Sequence, residues 1–181
     1  RRRALAGKCS EEEVYKIEML MNQAGITVHD RPVVDVALSR AEETEAPAAA
    51  LELADGHMIT GKTTDLLGPC AALLLNALKE LAGIPHSQPV ISPAAIEPIQ
   101  TLKTQYLGSK NPRLHMDEVL IALSVSAASD PNAQKALEQL PNLKGCQAHT
   151  SVMVSDVDRK LFMKLSIQAT FEAKYENNSV I

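Results

Sequence analysis

Aromatic rings are scarce in this chain: three tyrosines, two phenylalanines and no tryptophan among 181 residues. Basic residues are also outnumbered, 18 against 22 acidic ones, for a formal net charge of -4. Single-strand nucleic-acid binding needs stacking rings on a cationic track, and duplex binding needs a basic stripe, so both are excluded as expectations. Long apolar runs are missing as well. The longest, Cys70 to Leu75, has six residues, where a membrane-spanning helix needs about 20. Cysteines are few and odd in number, Cys9, Cys70 and Cys146, with no C-x-x-C pair. That pattern predicts a reducing, cytoplasmic setting without a disulfide framework. The first residues are Arg1, Arg2 and Arg3, with no targeting pattern, and the chain reads as part of a longer polypeptide.

What is present is a 45% hydrophobic composition, enough for one core of ordinary size. Ser10 and Glu13 form a capping box before Val14, Ile17, Leu20, Met21 and Ala24 at helical spacing, and Gly25 stops that helix. Asp30 and Pro32 open a second helix with Val33, Val34, Ala37, Leu38 and Ala41 on one face and Glu42, Glu43 and Glu45 crowding its end. Alternation then predicts a strand from Ala48, a hairpin turn at Asp55-Gly56 and a second strand over His57 to Thr60. Pro69 starts a nearly all-apolar helix to Ala82, the expected centre of the core.

Beyond it the pattern predicts a short strand over Gln88 to Ile91. A helix follows that Pro98 disturbs, restarting near Glu97 and ending before Gly108, and others lie over Asp117 to Ser129 and after Asp130-Pro131. Thr150 to Ser155 reads as a buried strand, Asp156 and Asp158 as the first turn of a helix, Ile167 to Phe171 as a last strand, and Glu176 to Ile181 as a frayed end. A hairpin followed by separated single strands among helices predicts an α/β fold with a mixed sheet and helices on both faces.

Several strings suggest chemistry. Gly56 to Thr63 satisfies the literal phosphate-loop pattern G-x-x-x-x-G-K-T. Its context is wrong, because such a loop follows a strand and leads directly into a helix. Cys146 and His149 lie three apart, and His115 and Asp117 two apart, without completing a four-ligand metal set. Pro69-Cys70 resembles half of a zinc-deaminase motif, but Leu73 stands where the second cysteine belongs, and His57 lacks a glutamate two residues on. No metal and no cofactor is therefore expected, no catalytic residue is assigned, and Cys146 reads as an inert core thiol rather than a nucleophile paired with His149.

The run Gly108 to Glu118 is different. It places Lys110, Asn111, Arg113 and His115 just ahead of a helix start, a combination of donors and positive dipole that attracts anions. If the turn at Thr60 to Asp65 shares its rim, Lys62, Thr63, Lys110, Asn111, Arg113 and His115 would together face a phosphate or carboxylate. The alternative is a solvated loop whose arginine and histidine cap carbonyls or pair with Asp117 and Glu118.

TGKTTDLLG (Thr60 to Gly68), ALLLNALKELAGI (Ala72 to Ile84), ISPAAIEPIQ, LGSKNPRLHMDEVLIALS and LEQLPNLKGCQAH closely resemble one family. It is the bacterial domain-of-unknown-function 1846 family, also called uncharacterised protein family 0371. The likeness runs from about Tyr15 to Phe171, is most specific at GSKNPRLH, and corresponds to the C-terminal portion of much longer members. It implies a three-layer α/β domain of cytidine-deaminase-like topology, preceded by a helical segment. It carries over no activity. The expected organisation is a linking helix over 1–26, joined to an N-terminal portion of the same polypeptide, and an α/β domain over 27–181. The leading functional expectation is a structural or interaction domain, one whose apolar first helix meets that portion or a second copy in a homo-oligomer. The alternative is an anion-binding domain or enzyme acting on a small phosphorylated or carboxylated metabolite.

Overall fold

The structure, a computed structural model, describes residues 9–175 together with Ala4 and Gly7; the expectation for Glu176 to Ile181 falls outside them. The elements run α1 (Glu11–Gln23), α2 (Pro32–Thr44), β1 (Ala48–Glu52), β2 (Met58–Lys62), α3 (Pro69–Leu81), α4 (Pro93–Thr101), α5 (Met116–Ser126), α6 (Pro131–Leu137), β3 (Gln147–Thr150), α7 (Asp156–Lys164) and β4 (Gln168–Phe171). The fold is mixed α/β: seven helices among the described residues and one four-stranded sheet ordered β2-β1-β3-β4. β1 is antiparallel to both β2 and β3, and β3 is parallel to β4. It follows that β2, β3 and β4 run in one direction and end on one edge of the sheet.

Strand β1 is small or aliphatic from Ala48 to Leu51, where both of its faces are covered. Ala49 and Leu51 join the main core with α3, α5, α6 and α7, whereas Ala50 packs with Val33 and Ala37 of α2. The period-2 geometry of a strand separates these two sets. Helix α3 lies so close to β2 that a Cβ at Gly61 would come within 2.5 Å of Leu73 Cα and 2.8 Å of Ala72 C. Only glycine allows that approach.

Three expectations are corrected. Gln88 to Ile91 forms no strand, although Val90 and Ile91 are buried; they fill the core from a turn-rich segment without joining a ladder. Pro98 does not interrupt α4 but sits inside it, and the chain continues as a π-helical turn, Leu102–Tyr106. The loss is confined to the one bond that a proline nitrogen cannot donate. Third, the sheet takes Gln147–Thr150, ahead of the Val152-Met153-Val154 run. The buried ladder residues are Ala148 and the polar His149 and Thr150, and the valines come after the chain has left the sheet.

Candidate functional site

At the edge where β2, β3 and β4 end, three loops lead into the N-termini of helices or into the chain end. Such an edge is where open α/β sheets hold ligands. The Thr63 backbone N–H donates to Pro47 O at 2.8 Å, and Ser151 donates to Ala48 O at 2.9 Å while its hydroxyl accepts from Ala48 N at 3.0 Å. These bonds fix the loops after β2 and β3 against the start of β1.

The loop after β2 is a tight turn. Thr64 N donates to Leu67 O, and the Thr64 hydroxyl accepts from Leu66 and Leu67 N–H. The Gly108–His115 run meets it through a single parallel bridge between Leu67 and Leu114, with Leu114 N to Leu66 O at 2.9 Å and Gly68 N to Leu114 O at 3.2 Å. Arg113 Nε adds a bond to Thr64 O at 2.9 Å. Buried Lys103 fastens the run from behind, its Nζ donating to Arg113 O at 2.6 Å and to Glu118 Oε2 at 2.8 Å. The two loops that the sequence singled out are therefore adjacent.

They open on a cavity of about 590 Å³. Thr63 and Arg113 line it, joined by Ser151, by Lys174 after β4, and by Glu42 and Glu45 at the end of α2. The Thr63 side chain is nearly enclosed, and its hydroxyl has no partner among the described residues, an uncommon state for a buried oxygen. The other proposed residues are elsewhere. Lys62 and Lys110 are exposed and do not line the cavity. Asn111 is spent on its own turn, its Oδ1 accepting from Arg113 N at 3.1 Å.

His115 faces a different group. Its Nδ1 lies 3.1 Å from Asp158 Oδ2, and the second oxygen of this buried carboxylate accepts from Met116 N at 2.9 Å. Ser155 donates to Asp158 Oδ2 at 2.9 Å. Asp158 thus ties the first turn of α5 to that of α7. The hydrogen bond to Asp158 raises the His115 pKa above its ordinary value, against the opposing effect of burial. Ser155 approaches the same ring nitrogen, at 3.4 Å, so the trio lacks the geometry in which a base accepts a serine proton on one nitrogen while a carboxylate holds the other.

Cys146 packs in the main core with Ala148, while His149 is opposite Ala50 on the other face of the sheet, so the two never meet. Burial pushes both the Cys70 and Cys146 thiols up, away from the thiolate that reaction requires. No cluster of three metal-competent side chains occurs among the described residues. The phosphate-loop string resolves into a hairpin turn at Gly56, φ 86°, and a packing glycine at position 61.

Sequence reasoning missed a polar network on the α2 side. Arg31, preceding α2, donates to Gln147 Oε1, Thr170 Oγ1 and Gln168 O. Thr170 in turn contacts His149 Nδ1 at 2.8 Å, and Glu172 lies 3.4 Å from His149 Nε2 without hydrogen-bond alignment. Burial lowers the His149 pKa against the opposing charge of Glu172, and the ring links β3 to β4 through Thr170. Only long-range pairing brings these residues together, and no local spacing signals it.

Residues 29–181 match the family model described as domain of unknown function DUF1846, C-terminal. The chain belongs to the DUF1846 family. Curated relatives of this DUF1846 chain are UPF0371 proteins. One from Corynebacterium glutamicum (strain R) is 54% identical over 165 residues, covering 91% of this chain and 33% of the relative. Another from Corynebacterium diphtheriae is 54% identical over 177 residues, covering 98% and 35%. One from Streptococcus pneumoniae (strain CGSP14) is 48% identical over 171 residues, covering 94% and 35%. The chain thus spans about a third of the length of these relatives. Helix α1 precedes the stretch matched by the DUF1846 C-terminal model, yet the likeness to the C. diphtheriae relative spans nearly the whole chain.

Proposed function

We propose that this DUF1846 C-terminal domain is an interaction module whose helix α1 docks on the preceding portion of its own longer polypeptide, in the cytoplasm. The observation that carries the reading is that α1 has no buried residue, with Tyr15, Ile17 and Leu20 about 60% exposed. An amphipathic helix ordinarily owes its stability to the surface it covers. Since the relatives are about three times as long, the preceding portion is the natural occupant, with a second copy as the competing one. The same reading takes the domain as three-layered, with α2 on one face and α3 on the other, and keeps the cytidine-deaminase-like topology as its expected relation.

The test is light scattering on the chain alone and with the preceding portion added as a separate polypeptide. The expected result is a monomer that binds that portion, with at least tenfold weaker binding in the Ile17→Asp, Leu20→Asp double variant. A dimer of the chain dispersed by the same variant would instead make a second copy the occupant. An unaltered affinity would end the reading.

A second reading is supported by the meeting of the Thr63 and Arg113 loops on one cavity: a site for a small phosphorylated or carboxylated metabolite. It predicts that inorganic phosphate or citrate raises the melting temperature, that Arg113→Ala abolishes the shift, and that Lys110→Ala leaves it. Equal loss in both variants, or no shift in the parent, would overturn it.

A further inference from the structure

The charge around the cavity argues for a more specific guest than an anion. Its lining carries three carboxylates, Glu42, Glu45 and Asp65, against two cations, Arg113 and Lys174. The acids outnumber the cations by one, so a phosphate entering a site of that balance meets net repulsion. The placement of Glu42 and Glu45 sharpens the point. Both sit at the C-terminal end of α2, which has no basic residue in its last turn. Helix C-termini favour cations, so acids there oppose the dipole. Glu45 is also one of the two described non-glycine residues with positive φ, at 50°. Neither Glu42 nor Glu45 makes an ion pair with a described residue, whereas the intervening Glu43 is paired with Arg40. Local rules are broken in this way where a ligand repays the cost.

The lining also carries cationic and hydroxyl groups. Arg113 is held by its Nε bond to Thr64 O, and the Thr63 hydroxyl is enclosed at 8% residue exposure with no partner among the described residues. That orphaned oxygen marks the site as incomplete.

We infer that the cavity selects a small zwitterion, an amino acid or short peptide. Its carboxylate would meet Arg113 and Thr63, and its ammonium would meet Glu42 and Glu45 beside the negative end of α2. This rests on the second reading above, that the cavity takes a charged ligand at all, and the two can fail separately. The experiment is calorimetric titration of the chain with L-leucine, L-alanyl-L-leucine, the N-acetyl and amide forms of that dipeptide, and inorganic phosphate. The expected result is binding of at least one free zwitterion, with at least tenfold weaker binding once either end is capped. The Glu42→Gln, Glu45→Gln double variant should lose at least tenfold for the zwitterion and nothing for phosphate, and its unaltered melting temperature should exclude a folding defect. Thr63→Val should weaken the zwitterion as well. Phosphate binding with neither zwitterion bound would overturn this inference and leave the second reading standing. N-acetyl-dipeptide bound as tightly as the free dipeptide would also overturn it, and no heat from any ligand would end both.

Discussion

A single methyl group at position 61 decides whether α3 can lie on β2. An alanine Cβ there falls on the backbone of Leu73 and Ala72 rather than on a side chain that could swing aside. Gly61→Ala should therefore cost at least about 3 kcal/mol, the upper range for overpacking. Gly56→Ala, in open space but at φ 86°, should cost about 1 kcal/mol from backbone strain alone. Urea unfolding of the two variants checks the ratio, and a nearly neutral Gly61→Ala would show that the helix can ride up off the sheet. The two histidines make opposite predictions. His115 has a folded pKa raised chiefly by its bond to Asp158, so its contribution is complete below the ordinary histidine value and is lost as pH rises through the raised one. His149 has a folded pKa lowered chiefly by burial, so its contribution is present above the ordinary value and is lost as pH falls through the lowered one. His115→Gln should consequently destabilise the protein more at pH 5.5 than at pH 8. In NMR titrations the two imidazoles should bracket the ordinary value of 6.5, and Asp158→Asn should bring the His115 midpoint down.

Among the elements, the π-helical turn after α4 supports the candidate site although it contributes no residue to the cavity. Lys103 on that turn is buried beside Glu118 and donates to Arg113 O. Lys103→Met leaves a partly exposed carboxylate unpaired and releases the loop, which should cost about 2 kcal/mol, below the full loss of a wholly buried pair. It should also speed amide hydrogen exchange over residues 108–115 at least tenfold, and unchanged exchange there would mean the Leu67–Leu114 bridge holds the loop alone. The helices with local punctuation were legible in advance: the Ser10–Glu13 capping box, and the prolines at positions 32, 69 and 131, all mark helix starts. The hairpin at Asp55-Gly56 was equally plain. β3 was misplaced because it carries polar residues among its buried positions, His149 being held across the sheet by Thr170, which in turn accepts from Arg31. That is a long-range arrangement with no local period. The candidate site divides the same way. Thr63 and Arg113 stood out because turn and helix-start chemistry is local, whereas Glu42, Glu45, Ser151 and Lys174 reach the cavity only through the order of the strands.

At the scale of the whole molecule, the question is which part of the chain is the folding unit. The main core draws on β1, β3 and helices α3 to α7, and the smaller one on α2 and β1. Neither includes a residue of α1. A 13-residue helix docked on a core would bury several aliphatic side chains at about 1.5–3 kcal/mol each, and its removal would unfold a domain of ordinary stability. Here the expected cost is far smaller. The helix lines a second cavity of about 610 Å³ together with Glu172, Ala173 and Lys174, and none of its side chains is fully buried. Deleting residues 1–26 should leave residues 27–181 folded, with a melting temperature within about 3 °C of the parent, the shift expected for roughly 1 kcal/mol in a domain of this size. The same deletion should abolish binding to the preceding portion of the polypeptide. Circular dichroism melting and light scattering measure the two effects on one sample. A fall of more than 10 °C would make α1 part of this domain's own core and would remove the argument that its apolar face is reserved for a partner.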